Sequence, residues 1–205
     1  MVVADAGVVL DSVERHFTVA SIGPVSFKIP PGRCLGLVGS NGAGKTTVMR
    51  IVVGLDRPDR GTVEVDGMAV RPGHPTPGVS GMIEEPRFYP RLSGKENLEV
   101  MCGGHRERRE RIPELLDLVG LGPASGRLVR TYSQGMRQRL GIARVLLADP
   151  SVVVMDEPTN GLDPEGIRWF RNLIANLKKQ EKAILLSSHM LHEIQAVSDD
   201  YLMLN

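Results

Sequence analysis

The sequence predicts an α/β fold, a mostly parallel sheet with an antiparallel β edge and an inserted helical subdomain. Three observations predict it. Residues 34–38 form an apolar run that passes directly into a glycine-rich stretch, residues 39–46, and then into the helix-like segment 46–54. Four consecutive apolar residues, Val152 to Met155, lie between Pro150 and Pro158 and fit a strand buried on both faces, as in a parallel sheet. From Pro86 to Asp149 the apolar residues instead recur at helical spacing.

Residues 8–10 and 25–29 read as short strands of the antiparallel edge. Val25, Phe27 and Ile29 lie on one face of the second, before the turn Pro30-Pro31-Gly32. Phe17, between the two strands, reads either as a ring that stacks on a nucleotide base or as a core packing residue. The helix of residues 46–54 carries Val48, Ile51, Val52 and Leu55 as its stripe and should stop around Gly54, with Pro58 just beyond. Residues 60–67 alternate polar and apolar as a further strand, and 71–78, with three prolines, form an irregular connection. Helices follow at 96–102, 112–119 and 134–148. The arginines of 106–111 are interleaved by Glu107 and Glu110 and read as a solvated helical face. Pro164 opens a helix to Lys179 with Ile167, Phe170, Ile174 and Leu177 on one side and a basic last turn. A strand at 183–186 ends in Ser187-Ser188-His189, Leu191, Ile194 and Val197 mark a short helix, and a final strand begins at Tyr201. The expected organisation is one domain, 1–205, with an α/β core from 1–85 and 150–205 and a helical subdomain at 86–149.

At 205 residues the chain can bury a sizeable core, and 25 basic against 24 acidic residues, net +1, leave no bulk charge footprint for nucleic acid or an anionic membrane. Cys34 and Cys102 have no metal or redox spacing and read as small buried side chains in a reducing cytosol. No run of about 18 apolar residues is present, so a link to a membrane is expected to run through another chain. Asp5, Asp11 and Glu14 sit where a signal peptide would need a basic flank and a long apolar stretch, so no signal peptide is expected.

The chemistry begins in the glycine loop. Gly39, Ser40, Asn41, Gly42, Ala43, Gly44, Lys45 and Thr46 satisfy the pattern G-x-x-x-x-G-K-[ST], and Thr47 completes the nucleotide-binding stretch. Glycines let successive backbone N–H groups turn inward around a phosphate, and the opening helix adds its positive end. Lys45 should reach the β- and γ-phosphates, and Thr46 should place its hydroxyl on a magnesium ion. Asp156, closing an apolar strand, suits a second hold on that ion through its water shell. Glu157 beside it either polarises an attacking water or is a solvated strand-end acid. Together the two acids favour hydrolysis over transfer to a hydroxyl acceptor.

Residues Tyr132-Ser133-Gln134-Gly135-Met136-Arg137-Gln138-Arg139-Leu140 resemble the signature motif of ABC-type ATPases, written LSGGQ. Asn160-Gly161-Leu162-Asp163 is similar to that family's D-loop, and His189 at a strand end to its switch histidine. The resemblance runs from about residue 8 to the C-terminus, with five motifs in family order. It implies a P-loop NTPase core of the ABC type, with ATP and Mg2+ as cofactors. It also implies that Ser133, Gln134, Gly135 and Met136 contact the γ-phosphate held by the opposite subunit, so that ATP joins a head-to-tail homodimer. Glu157 then prepares water, and His189 holds the γ-phosphate and water in position.

Glu84 stands where most of the family has a glutamine. It can contact magnesium or the water but cannot donate a hydrogen bond as an amide can. Gln134 replaces the first signature glycine, where its side chain would crowd the nucleotide. The stretch Ile83-Glu84-Glu85-Pro86, the segment Leu92-Ser93-Gly94-Lys95-Glu96-Asn97-Leu98 and the Y-S-x-G-M signature look like ATPase subunits of bacitracin- and lantibiotic-type exporters and immunity systems. The implied function is a cytoplasmic ATPase subunit, peripheral to the inner face of the membrane, that powers export through a separate transmembrane permease. Subunits of this kind continue beyond the point where this chain reaches Asn205. A soluble relative acting on ribosomes or DNA is the other class; such members carry two cassettes, or a long coiled coil, and neither pattern is present here. A regulator without turnover would not need Lys45, Asp156, Glu157 and His189 together.

Overall fold

A computed structural model of the chain describes residues 7–205, so Asp5 and the first residues of the expected domain lie outside the described residues. Five parallel strands form the central sheet in the order β6-β7-β8-β3-β9, with β3 at Cys34–Val38, β6 at Val79–Met82, β7 at Val152–Met155, β8 at Ala183–Ser188 and β9 at Asp200–Met203. A four-stranded antiparallel sheet, β2-β1-β4-β5, is built from β1 (Val8–His16), β2 (Ser21–Ile29), β4 (Arg60–Val65) and β5 (Met68–Ala69). The expected parallel sheet with an antiparallel edge is therefore present.

The central strands sort their side chains with a period of two. Val152 and Val154 of β7 and Leu185 of β8 join a core shared with the antiparallel sheet and with helix α1 (Lys45–Val52). Val153, Met155, Ile184 and Leu186 face the other way, into a core made with the later helices. Burial on both faces is why β7 reads as an uninterrupted apolar run. The later helices are α2 (Gly94–Met101), α3 (Arg106–Glu110), α4 (Ile112–Leu118), α5 (Gln134–Leu146), α6 (Pro164–Lys179) and α7 (Leu191–Gln195). Helix α2 opens with a capping box: Ser93 Oγ accepts from Glu96 N at 3.2 Å while Glu96 accepts from Ser93 N at 2.7 Å. Helix α3 buries none of its residues, as its interleaved charges implied. Among the described residues no helix is long and apolar enough to cross a membrane.

Several local readings change. Strands β1 and β2 are longer than the apolar patches at 8–10 and 25–29, because the turn closed by Phe17 N donating to Ala20 O at 2.7 Å keeps the strands paired as far as His16 and Ser21. Leu55 does not belong to the α1 stripe. The helix ends at Val52, Gly54 takes φ +79°, and Leu55 is left 63% exposed. Strand β6, at Val79–Met82, follows directly on the irregular connection of 71–78 and was not expected from the sequence. Gly81 in it lets the strand lie close to the end of α1, since a Cβ there would stand 2.9 Å from Val53 Cγ1 and the valine would have to shift. Both cysteines are buried and free, and burial pushes the Cys34 thiol up to about 12.

Candidate functional site

A parallel sheet puts all its carboxyl ends on one edge, and the loops leaving β3, β6, β7 and β8 there bring together residues far apart in sequence. After β3 the chain enters the glycine loop, where Gly42 and Gly44 take φ of +88° and +97°. Gly44 has no room for a side chain, because a Cβ would lie 2.6 Å from Ile22 Cδ1. Lys45 is only 6% exposed; its Nζ donates to Gly39 O at 2.7 Å and Ser40 O at 3.1 Å and stands 3.9 Å from Glu157 Oε1. A cavity of about 660 Å³ covers this loop, lined by Phe17, Ile22, residues 40–47, Asp156 and Glu157.

Asp156 leaves the end of β7 nearly buried and is held on both oxygens. Thr46 Oγ1 donates to its Oδ2 at 2.6 Å, and Ser187 Oγ donates to its Oδ1. Ser187 also accepts the main-chain N–H of Glu157 at 2.9 Å. Glu157 sits at φ +47°, a left-handed backbone that costs a residue with a Cβ about 1–2 kcal/mol. This turn takes its carboxylate out of the strand line, where Oε2 is 2.9 Å from His189 Nδ1. The main-chain carbonyls of Glu157 and Pro158 accept from Gln138 Nε2 at 3.3 and 3.0 Å. Glu84 leaves β6 with the same device, φ +70°, two residues past Met82, which pairs with Met155 of β7. Its carboxylate is largely exposed and ion-paired with Arg50 at 3.1 Å, so it lines the cleft beside Asp156 and Glu157 while bonded to a cation outside it.

Of the signature residues, Gln134 also borders the cleft with Glu84, Asp156 and Glu157, while Ser133, Gly135 and Met136 lie apart from it. Ser133 caps α5 by accepting from Met136 N at 3.2 Å, and residues 133–136 line a second hollow, about 540 Å³, together with Gly161, Leu162 and Asp163. That hollow shares no lining residue with the cavity over the glycine loop. Gln134 lies against Gly161, where a Cβ would meet its Cγ and Cδ at 2.7 Å, so in the single chain its side chain covers the D-loop. Asp163 accepts from Gly166 N at 2.7 Å and is the N-cap of α6. Phe17 is outside both cores and 44% exposed at the cavity, with the Arg15 guanidinium 5.1 Å from its ring centroid, which rules out the packing alternative.

Three contributors escaped the sequence reading. Ser187 and Gln138 act on the Asp156-Glu157 pair as described, and Glu193 Oε2 accepts from both Thr159 Oγ1 and Ser188 Oγ at 2.8 Å, joining the segment after Glu157 to the one before His189. A signal existed for Ser187, since two serines ending an apolar, fully buried strand must find partners.

The sequence pattern of the family described as ABC transporter matches residues 22–160. The chain belongs to the ABC transporter family. Its relatives include the uncharacterized ABC transporter ATP-binding protein YdbJ of Bacillus subtilis (strain 168), 42% identical over 85% of this chain and 58% of that protein. The bacitracin transport ATP-binding protein BcrA of Bacillus licheniformis is 38% identical over 92% of this chain and 63% of that protein. The lantibiotic transport ATP-binding protein SrtF of Streptococcus pyogenes is 39% identical over 85% of this chain and 76% of that protein. The bacitracin and lantibiotic resemblance expected from the motifs is thus found across most of the chain. Among solved structures, the ATP binding subunit of an ABC transporter superposes with a TM-score of 0.84 at 26% identity, over 98% of this chain and 86% of that one. This ABC chain spans about 60% of the length of YdbJ and BcrA.

Proposed function

We propose that this chain is the ATP-hydrolysing subunit of an exporter, acting as one half of a homodimer on a separate transmembrane permease at the inner face of the cell membrane. The observation that carries the reading is the hydrogen-bonded row Thr46, Asp156, Ser187, Glu157, His189 beside the glycine loop. A phosphate cradle alone serves binding. A carboxylate next to the cation-holding acid, oriented by a histidine, adds the activation of water.

The N–H groups of residues 40–46 take the phosphates, and Lys45 exchanges the carbonyls of Gly39 and Ser40 for the β- and γ-phosphate oxygens. Thr46 and Asp156 offer hard oxygen donors meeting at one point, which fits magnesium, an ion that keeps most of its waters and needs few protein ligands. Bound there, it would supply neutralising charge to the β- and γ-phosphates. Glu157 accepts a proton from the attacking water, and His189 fixes the direction of that carboxylate. Glu84 approaches the same water shell from its Arg50 pair, and Phe17 stacks on the adenine at the cavity mouth.

Residues 133–136 begin a 13-residue helix, and a helix N-terminus is an anion site. Because they line a different hollow from the glycine loop, the γ-phosphate they meet belongs to a second copy, with Asp163 of the D-loop at that contact. The helical segment 86–149 and the Glu84 region face the permease. Names of relatives favour a peptide or small-molecule antibiotic as cargo and transport over action on ribosomes or DNA.

The test is steady-state phosphate release with ATP binding measured in parallel by calorimetry. Glu157→Gln should lower turnover about 10²- to 10⁴-fold and leave ATP binding intact. A wild-type protein that binds ATP but releases no phosphate, or a Glu157→Gln protein that matches wild-type turnover, overturns the reading.

A further inference from the structure

We propose that Gln138 is a positioning residue that ties the signature end of α5 to the main chain of Glu157, so that nucleotide at one half-site of the dimer sets the water-activating carboxylate of the other. The inference rests on the hydrolytic reading above and goes beyond it in naming how the two sites communicate.

The geometry is specific. Gln138 is 7% exposed, and its amide donates to the carbonyls of two consecutive residues, Glu157 and Pro158. Both of its amide protons are thereby used. Among the described residues these are the only hydrogen bonds between α5 and residues 156–160. Gln134 and Gln138 stand four apart on one helical face, and both line a cleft of about 290 Å³ with Asp156 and Glu157. About one and a half turns of helix thus separate the capping Ser133, at the hollow that faces a second copy, from the amide that holds Glu157.

The segment that Gln138 grips carries a strained backbone setting. Glu157 is at φ +47°, where a residue with a Cβ stays only when its surroundings hold it. From the strand side, Ser187 accepts its N–H and Glu193 binds Thr159 and Ser188; these holds stay within one chain's own sheet edge. Gln138 is the hold that comes from the helix bearing the signature. A shift of α5 on meeting the γ-phosphate of the other copy therefore pulls on the carbonyls of Glu157 and Pro158, and with them on the carboxylate that faces His189. Glutamine suits the task because a leucine of similar size would leave the Pro158 carbonyl without a donor.

The experiment uses Gln138→Met, which keeps the length of the side chain and removes both donors. Measured are kcat, KM for ATP and unfolding temperature, together with ATP-driven dimerisation in a Glu157→Gln background. The expected result is a fall in kcat of about 10- to 100-fold, with KM for ATP within about twofold of wild type and dimerisation unchanged. Unchanged kcat overturns the proposal. So does a loss of kcat matched by equal losses in ATP affinity and dimerisation, since that is what a merely structural role produces. If Gln138→Met does not fold, Gln138→Asn, which draws the amide back by one methylene, carries the same test with the same expectations. A wild-type protein without turnover refutes the hydrolytic reading itself, a result distinct from a turning-over wild type that Gln138→Met equals.

Discussion

Replacing Ser187 by alanine removes one oxygen that serves two neighbours at once. Ser187 is fully buried, donates to Asp156 Oδ1 and accepts the N–H of Glu157 at 2.9 Å. A hydrogen bond to a charged carboxylate is worth about 1.5–3 kcal/mol, and a buried N–H left unpaired costs about 1–3 kcal/mol. Both run through a single atom and are not additive, so the expected loss is about 2–4 kcal/mol. For a domain of this size that lowers the unfolding temperature by about 4–16 °C. Thermal unfolding by circular dichroism measures it, with exposed Ser12→Ala as a control expected to shift little. The same variant should lose turnover, because Asp156 and Glu157 are then free to leave the positions that Ser187 shares between them. A Ser187→Ala protein as stable and as active as wild type would show that this serine does not couple the two acids.

Thiol labelling gives a second check. With both cysteines buried and the Cys34 thiol pushed up to about 12, the folded chain at pH 8 should react with Ellman's reagent far more slowly than the chain in guanidinium, where two thiols titrate; rapid native labelling of either would contradict the packing. Stability should also depend on acid in a predictable direction. The Lys182 hydrogen bond holds Asp149 below the usual carboxylate range; for Asp199, burial pushes upward, but the Lys178 hydrogen bond and the Cys34 N–H together win and hold it low. A carboxylate depressed in the folded state adds stability above its unfolded value near about 3.9, and that stability is lost as pH falls through the folded value. Urea unfolding from pH 7 to pH 2 should therefore show the gap between wild type and the Lys178→Met, Lys182→Met double variant closing below about pH 4, and a gap that widens in acid would contradict the assignment.

How much of this was legible in the sequence follows from where each constraint resides. The glycine loop, α1 and the acidic end of β7 are local: their patterns lie within a few consecutive residues, and the structure joins them through Thr46 and Asp156. Strand β6 was not legible because its four residues include Gly81, and its pairing with β7 comes from about 70 residues away. The extension of β1 and β2 past their apolar patches depends on a turn hydrogen bond that leaves no periodic trace. Leu55 matched the helical period, yet the left-handed Gly54 ended the helix first. Ser187, Gln138 and Glu193 are polar residues whose meaning lies wholly in partners 5 to 34 positions away. Glu84 was placed at the cleft by its motif, but its ion pair with Arg50 needed coordinates.

The central claim is that each chain holds half of a site. It is tested most directly by light scattering on Glu157→Gln with and without ATP. The expected result is the mass of one chain, 22.3 kDa, without nucleotide and twice that mass with it. The same mass in both conditions would contradict the claim.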